Sequence, residues 1–261
     1  MNTRTHLLAV FVGAMTLGCV PQAPPPESPH PELAASFTVA AYGDSLTRGP
    51  AGESWTTQMP AVWGRIGRGV LGETATVGAQ RLAADLDSGL LTSVEDVEVL
   101  VLLWGTNDVG GIGWLDLPEG VTVADYYADQ VANHGLDPDL AAGYAEGSTS
   151  QTDLRDRMFA AIARARALGI DVVLATPPPR ADATTLNPQL ESLGVVLCNA
   201  AAQAGVPCID LYQAFAGHEG GAASLLDTDG IHLGPDGRLL VAELVAPVIQ
   251  PLYEAWTPPA P

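Results

Sequence analysis

The chain has 261 residues, 47% of them hydrophobic, which suits one sizeable globular domain and is too little for two well-packed ones. Eleven basic residues against thirty acidic ones leave a net charge of -19, which argues against nucleic acid as a partner. All the basic residues are arginine, and the absence of lysine excludes Schiff-base chemistry, serine–lysine dyads and the lysine-dependent phosphate loop.

Residues 1–18 read as a leader. Arg4 and the free amine form a weak basic start, and Leu7 to Leu17 form an apolar run too short for a bilayer, where about 20 residues are needed. Thr16-Leu17-Gly18-Cys19 puts a small-residue cleavage site directly before a cysteine. This resembles the lipobox of bacterial lipoproteins, although that family prefers leucine where Thr16 stands. The resemblance implies that Cys19 is acylated and that the protein is exported and lipid-anchored to a bacterial membrane, not spanning it. Residues 19–36 contain a proline-rich stretch, Val20 to Pro31, that reads as an extended tether. The folded domain is expected over residues 37–254, with 255–261 as a tail.

Within the domain, apolar runs predict strands at Phe37–Tyr42, Val97–Trp104, Ile170–Ala175 and Val206–Leu211, and a weaker one at Arg68–Leu71. Helical patterns lie at Gly78–Asp87, Asp153–Leu168, Pro188–Ala204 and Pro235–Leu252. Val97–Trp104 is almost continuously apolar, as a parallel strand covered on both faces should be. The alternation predicts a three-layer α/β/α sandwich around a parallel sheet of about five strands. Residues 109–152 break the rhythm with Trp114, Tyr126, Tyr127 and Tyr144 among many acids. They read either as a lid or substrate wall, or as a helical insertion with its own small core. Cys198 and Cys208 flank a short helix–turn–strand passage, and the sequence leaves a disulfide and two buried thiols equally open. No Cys/His cluster has metal-ligand spacing, and no cofactor is expected.

The chemistry-bearing residues sit where the predicted strands end. Gly43-Asp44-Ser45 follows the first strand, at the edge where open α/β sheets place their ligands. Asp229-Gly230-Ile231-His232 offers a base unit, because a tight turn at this spacing brings a carboxylate to an imidazole Nδ1. Gly105-Thr106-Asn107-Asp108 follows the strongest strand, so the Asn107 amide reaches the same edge. Gly78 is expected at a helix N-terminus with its backbone N–H pointing outward. Taken singly, each of these segments reads as a turn or a helix cap.

Together and in this order, the four blocks resemble the SGNH, or GDSL, hydrolases over nearly the whole domain. The resemblance implies a flavodoxin-like sandwich and a serine esterase mechanism. Ser45 would be the nucleophile, His232 the general base and then acid, and Asp229 the orienting carboxylate. The oxyanion hole would comprise Ser45 and Gly78 backbone N–H groups and the Asn107 side chain, and Asp44 would be structural. The second block departs from the family pattern at Glu73 and Ala75, where asparagine and glycine are usual, and Glu73 beside the site would disfavour anionic substrates. The α/β-hydrolase elbow is excluded, because Ser45 is followed by Leu46-Thr47. Arg180 and Trp114 are candidate substrate contacts. The expected substrate is a short-chain ester or an O-acetylated carbohydrate. A lysophospholipase or thioesterase, an acyltransferase and a non-catalytic glycan-binding lipoprotein are the competing readings.

Overall fold

The side chains of the third strand alternate between two separate cores, and this division sets the architecture. Val99, Val101 and Leu103 enter one core and Leu100 and Leu102 the other, all of them buried. A strand with no solvent face needs a layer on each side. The structure is a computed structural model and describes residues 36–49, 53–110, 114–115, 120–134, 138 and 149–256. The expected leader, tether residues 19–35 with Cys19, the Trp114 side chain, Tyr144 and tail residues 257–261 lie outside the described residues, whereas the last helix runs on to Ala255, one residue into the expected tail.

The strands are β1 (Thr38–Gly43), β2 (Gly64–Gly69), β3 (Val97–Leu103), β4 (Trp114–Leu115), β5 (Thr149–Ser150), β6 (Asp171–Ala175) and β7 (Cys208–Ile209). A five-stranded, all-parallel sheet runs in the order β2-β1-β3-β6-β7, as the alternation predicts, while β4 and β5 form a separate two-stranded pair. Helices Ala75–Asp87, Gln151–Ala167 and Asn187–Ala204 cover one face, burying Leu82, Leu154 and Leu197. Helices Ser45–Arg48, Leu211–Ala216 and Pro235–Ala255 cover the other, burying Leu46, Phe215 and Val245. Between residues 109 and 152 the described chain holds β4, helix Val123–His134, β5 and the start of helix Gln151–Ala167, and Tyr126 stacks edge-to-face on Tyr127.

Two strands differ from their sequence patterns. The weak second strand lies at Gly64–Gly69, several residues earlier than expected. Its sequence, Gly-Arg-Ile-Gly-Arg-Gly, carries one core side chain, Ile66. It is a strand because its backbone pairs with β1, so side-chain pattern could not locate it. The expected strand at Val206–Leu211 contracts to Cys208–Ile209, and residues from Leu211 onward turn into a helix capped by Asp210.

Cys198, on the helix Asn187–Ala204, is disulfide-bonded to Cys208 on β7, which settles the alternative left open by the sequence. The bond ties the edge strand to the helix that covers it. Replacing both cysteines with alanine should lower stability by about 3 kcal/mol, the chain-entropy value for a loop this short. A denaturant midpoint unchanged from the oxidised wild type would rule out a stabilising role for the bond.

Candidate active site

Parallel pairing puts Gly43 opposite both Gly69 and Leu103, so three strands end level with one another. Helix Ser45–Arg48 starts immediately and folds back over these ends. The close approach needs glycine: a Cβ on Gly43 would lie 2.3 Å from the Leu103 carbonyl oxygen, and one on Gly69 would lie 2.1 Å from the Arg48 nitrogen. Asp44 caps the helix by accepting the Leu46 N–H at 2.8 Å. Ser45 is thereby fixed at the first helical position, with a backbone N–H that has no intrahelical acceptor.

Asp44 is completely buried, and its second carboxylate oxygen has no hydrogen-bond partner among the described residues. Burial pushes its carboxyl up to about 8. The Leu46 N–H opposes this, and the nearby Asp108 and Glu73 charges reinforce it. A carboxyl that stays neutral near pH 7 is a cap and not a triad acid, consistent with a structural role.

The base unit is a single tight turn. Asp229 Oδ1 accepts the backbone N–H groups of Ile231 and His232, both at 2.9 Å, and Oδ2 lies 2.6 Å from His232 Nδ1. Partial burial raises the Asp229 carboxyl. The His232 ring bond and the two backbone donors outweigh that effect and hold it at about 2. An ionised carboxylate can only accept, so Nδ1 carries the proton and Nε2 is left as the basic atom. Gly230, at φ +70°, forms the bend of the turn. Its carbonyl accepts the Ala181 N–H at 2.8 Å, which docks the turn on the loop after β6.

Arg180 does not reach into the cavity as a substrate contact would. Its guanidinium is engaged on both oxygens of Asp182, at 2.7 and 2.6 Å, and it braces the loop that holds the Asp229 turn. Among the described residues, Ser45, Gly49, Leu71, Asp227, Asp229 and His232 line one cavity of about 150 Å³. The structure therefore brings Ser45, His232 and Asp229 to one place.

The oxyanion donors need one correction. Gly78 lies one turn inside the helix Ala75–Asp87, and its N–H already donates to the Thr74 carbonyl at 2.9 Å. A Cβ there would meet the Trp104 ring at 2.3 Å, so Gly78 is a packing glycine and not an oxyanion donor. The glycine beside the site is Gly72, which follows Leu71 of the cavity wall and has φ +70°. Its loop leaves β2 alongside the nucleophile, since the Val70 N–H donates to the Gly43 carbonyl at 3.0 Å. The Asn107 side chain reaches the same loop, donating through Nδ2 to the Glu73 carbonyl at 3.0 Å. Thr74 as helix N-cap is the sequence signal that leaves Gly72 in the loop.

Glu73 is also corrected. It is buried, and its carboxylate accepts from Arg81 Nε and Nη2 at 2.8 and 2.6 Å and from Trp104 Nε1 at 2.9 Å. It therefore does not face substrate and instead anchors the loop between Gly72 and the helix. Among the described residues, no group of three or more His, Cys, Asp or Glu is placed to hold a metal ion.

The raised Asp44 carboxyl has a thermodynamic consequence. Between roughly pH 4 and pH 8 the unfolded chain releases this proton while the folded chain keeps it, so its contribution to stability falls as pH rises. Asp44→Asn keeps the cap and removes the titration. Wild type should therefore lose stability relative to Asp44→Asn between pH 5 and pH 8 in parallel denaturant titrations. A constant difference between the two would contradict a neutral Asp44.

Residues 41–239 match the model of the GDSL-like lipase/acylhydrolase family. No curated protein matches the chain. Among solved structures, a lipase/acylhydrolase from Enterococcus faecalis superposes with a TM-score of 0.54 at 21% identity, covering 86% of this chain and 100% of its own. A GDSL-like lipase from Bacteroides thetaiotaomicron VPI-5482 gives 0.57 at 18% identity, covering 82% and 88%. An acetyl xylan esterase gives 0.54 at 20% identity, covering 80% and 98%. These likenesses share the α/β/α fold, and the family match spans most of the chain. The chain thus belongs to the GDSL-like lipase/acylhydrolase family and is a hydrolase that cleaves ester bonds.

Proposed function

We propose that the chain is a serine esterase that removes short acyl groups, acetyl foremost, from neutral alcohols such as carbohydrate hydroxyls. The carrying observation is the shared cavity of Ser45 and His232, with His232 already oriented by an ionised Asp229. His232 Nε2 takes the Ser45 proton as Oγ attacks the ester carbonyl, and Asp229 stabilises the imidazolium that forms. The Ser45 and Gly72 backbone N–H groups and the Asn107 side chain stabilise the oxyanion. His232 then protonates the departing alcohol, and water releases the acyl group by the reverse sequence.

A cavity of about 150 Å³ favours an acetyl over a long acyl chain. A net charge of -19 disfavours anionic lipid and acidic polymers as substrates. The structural likeness to an acetyl xylan esterase agrees with this choice. We also propose that the protein acts after export, held to a membrane by acyl chains on Cys19. Incorporation of labelled palmitate into wild type and not into Cys19→Ala tests that anchor, and equal labelling of both refutes it.

A p-nitrophenyl ester series on protein lacking residues 1–36 should show kcat/KM highest for acetate and falling with chain length. Ser45→Ala should abolish turnover, and Asn107→Ala should lower kcat by roughly 10²–10³-fold. Wild-type rates no higher than those of Ser45→Ala would eliminate the esterase reading.

A further inference from the structure

Resting on that esterase reading, we infer that Asp227 sets the charge preference for the alcohol part of the substrate. Asp227 lines the cavity that holds Ser45 and His232, and it wraps the base turn from outside. Its N–H donates to the His232 carbonyl at 2.7 Å, and its own carbonyl accepts the Gly230 N–H at 2.9 Å. The side chain is exposed. Oδ1 accepts the Thr228 N–H at 2.8 Å, and Oδ2 has no partner among the described residues.

The alcohol lies on this side because His232 returns its proton to the alcohol oxygen, which must therefore sit against the ring. From there the surface continues into a second cavity of about 430 Å³ that shares Asp227 and Asp229 with the first. Three carboxylates border that path, but two of them already have a partner. Asp229 is bonded to His232, and Asp182 is paired with Arg180. Asp227 faces no cation among the described residues. Arg48 is exposed behind Gly49 and lines neither cavity.

A lone carboxylate within several ångströms of the departing alcohol favours a cationic alcohol over an anionic one. Near solvent the effect is on the order of three- to tenfold for each charge type at low salt, and it is screened at high salt. Neutral sugar hydroxyls pass this filter, whereas phosphate-bearing alcohols such as lysophospholipid headgroups are selected against.

The test uses three aryl acetates of matched shape whose alcohol carries a trimethylammonium group, no charge or a carboxylate. Each kcat/KM is divided by the ester's rate of spontaneous hydrolysis. Wild type should prefer the cationic over the anionic ester at low ionic strength, and Asp227→Asn should shrink that ratio by about tenfold. Asp227→Glu should retain it, and added salt should compress the ratio more in wild type than in Asp227→Asn. A wild-type ratio that ignores salt, or one equal in wild type and Asp227→Asn, overturns the assignment while leaving the esterase intact. Failure of wild type to hydrolyse any of the three esters overturns both.

Discussion

The level ending of β1, β2 and β3 is the constraint on which the site depends. Parallel pairing sets Gly43 against Gly69 and Leu103, so the segments leaving all three strands are delivered to one edge. From β1 comes Ser45, from β2 the Leu71-Gly72 loop, and from β3 Asn107. The fourth contribution, His232, arrives from far along the chain and is held by the loop after β6 through the Gly230 carbonyl. A one-residue slip of β1 would turn its core side chains to the wrong face, so the register that builds the core also aligns the chemistry.

Carboxylates around this edge have different roles because their surroundings differ. Asp44 is buried with one donor and neighbouring negative charge, and it stays neutral. Asp229 has three donors, the imidazole among them, and it stays ionised. Glu73 is also buried but is neutralised by Arg81 and fixed by Trp104. Sequence proximity to Ser45 is therefore a poor guide to environment: the acid adjacent to it caps a helix, and the one bonded to His232 lies more than 180 positions away.

Much of this arrangement is legible in the sequence where side chains carry the signal. The apolar runs of β1, β3 and β6 and the fixed spacing of Asp229 and His232 locate Ser45, Asn107 and the base turn. Legibility fails where backbone pairing carries the signal instead. β2 is made mostly of glycine and arginine, so its pattern puts the strand end too late, delays the start of the next helix and points to Gly78 in place of Gly72. Arg180 reads as open to substrate because its partner two residues away, Asp182, resembles one more acid in an acidic chain. The pairing of Cys198 with Cys208 depends on how a helix docks on an edge strand, which spacing alone does not specify.

At the far end of β1, Phe37 packs edge-to-face against Trp63, Tyr253 and Trp256, so entry into and exit from the domain meet in one aromatic cluster. β1 then runs straight from this cluster to Ser45, a span of about 20 Å for a strand of this length. Any support attached upstream of Phe37 therefore grips the molecule by its underside. The Ser45 edge lies at the opposite end of β1 from that point of attachment. The separation between the place where the chain enters the domain and the Ser45 edge is thus decided by the length of a single buried strand.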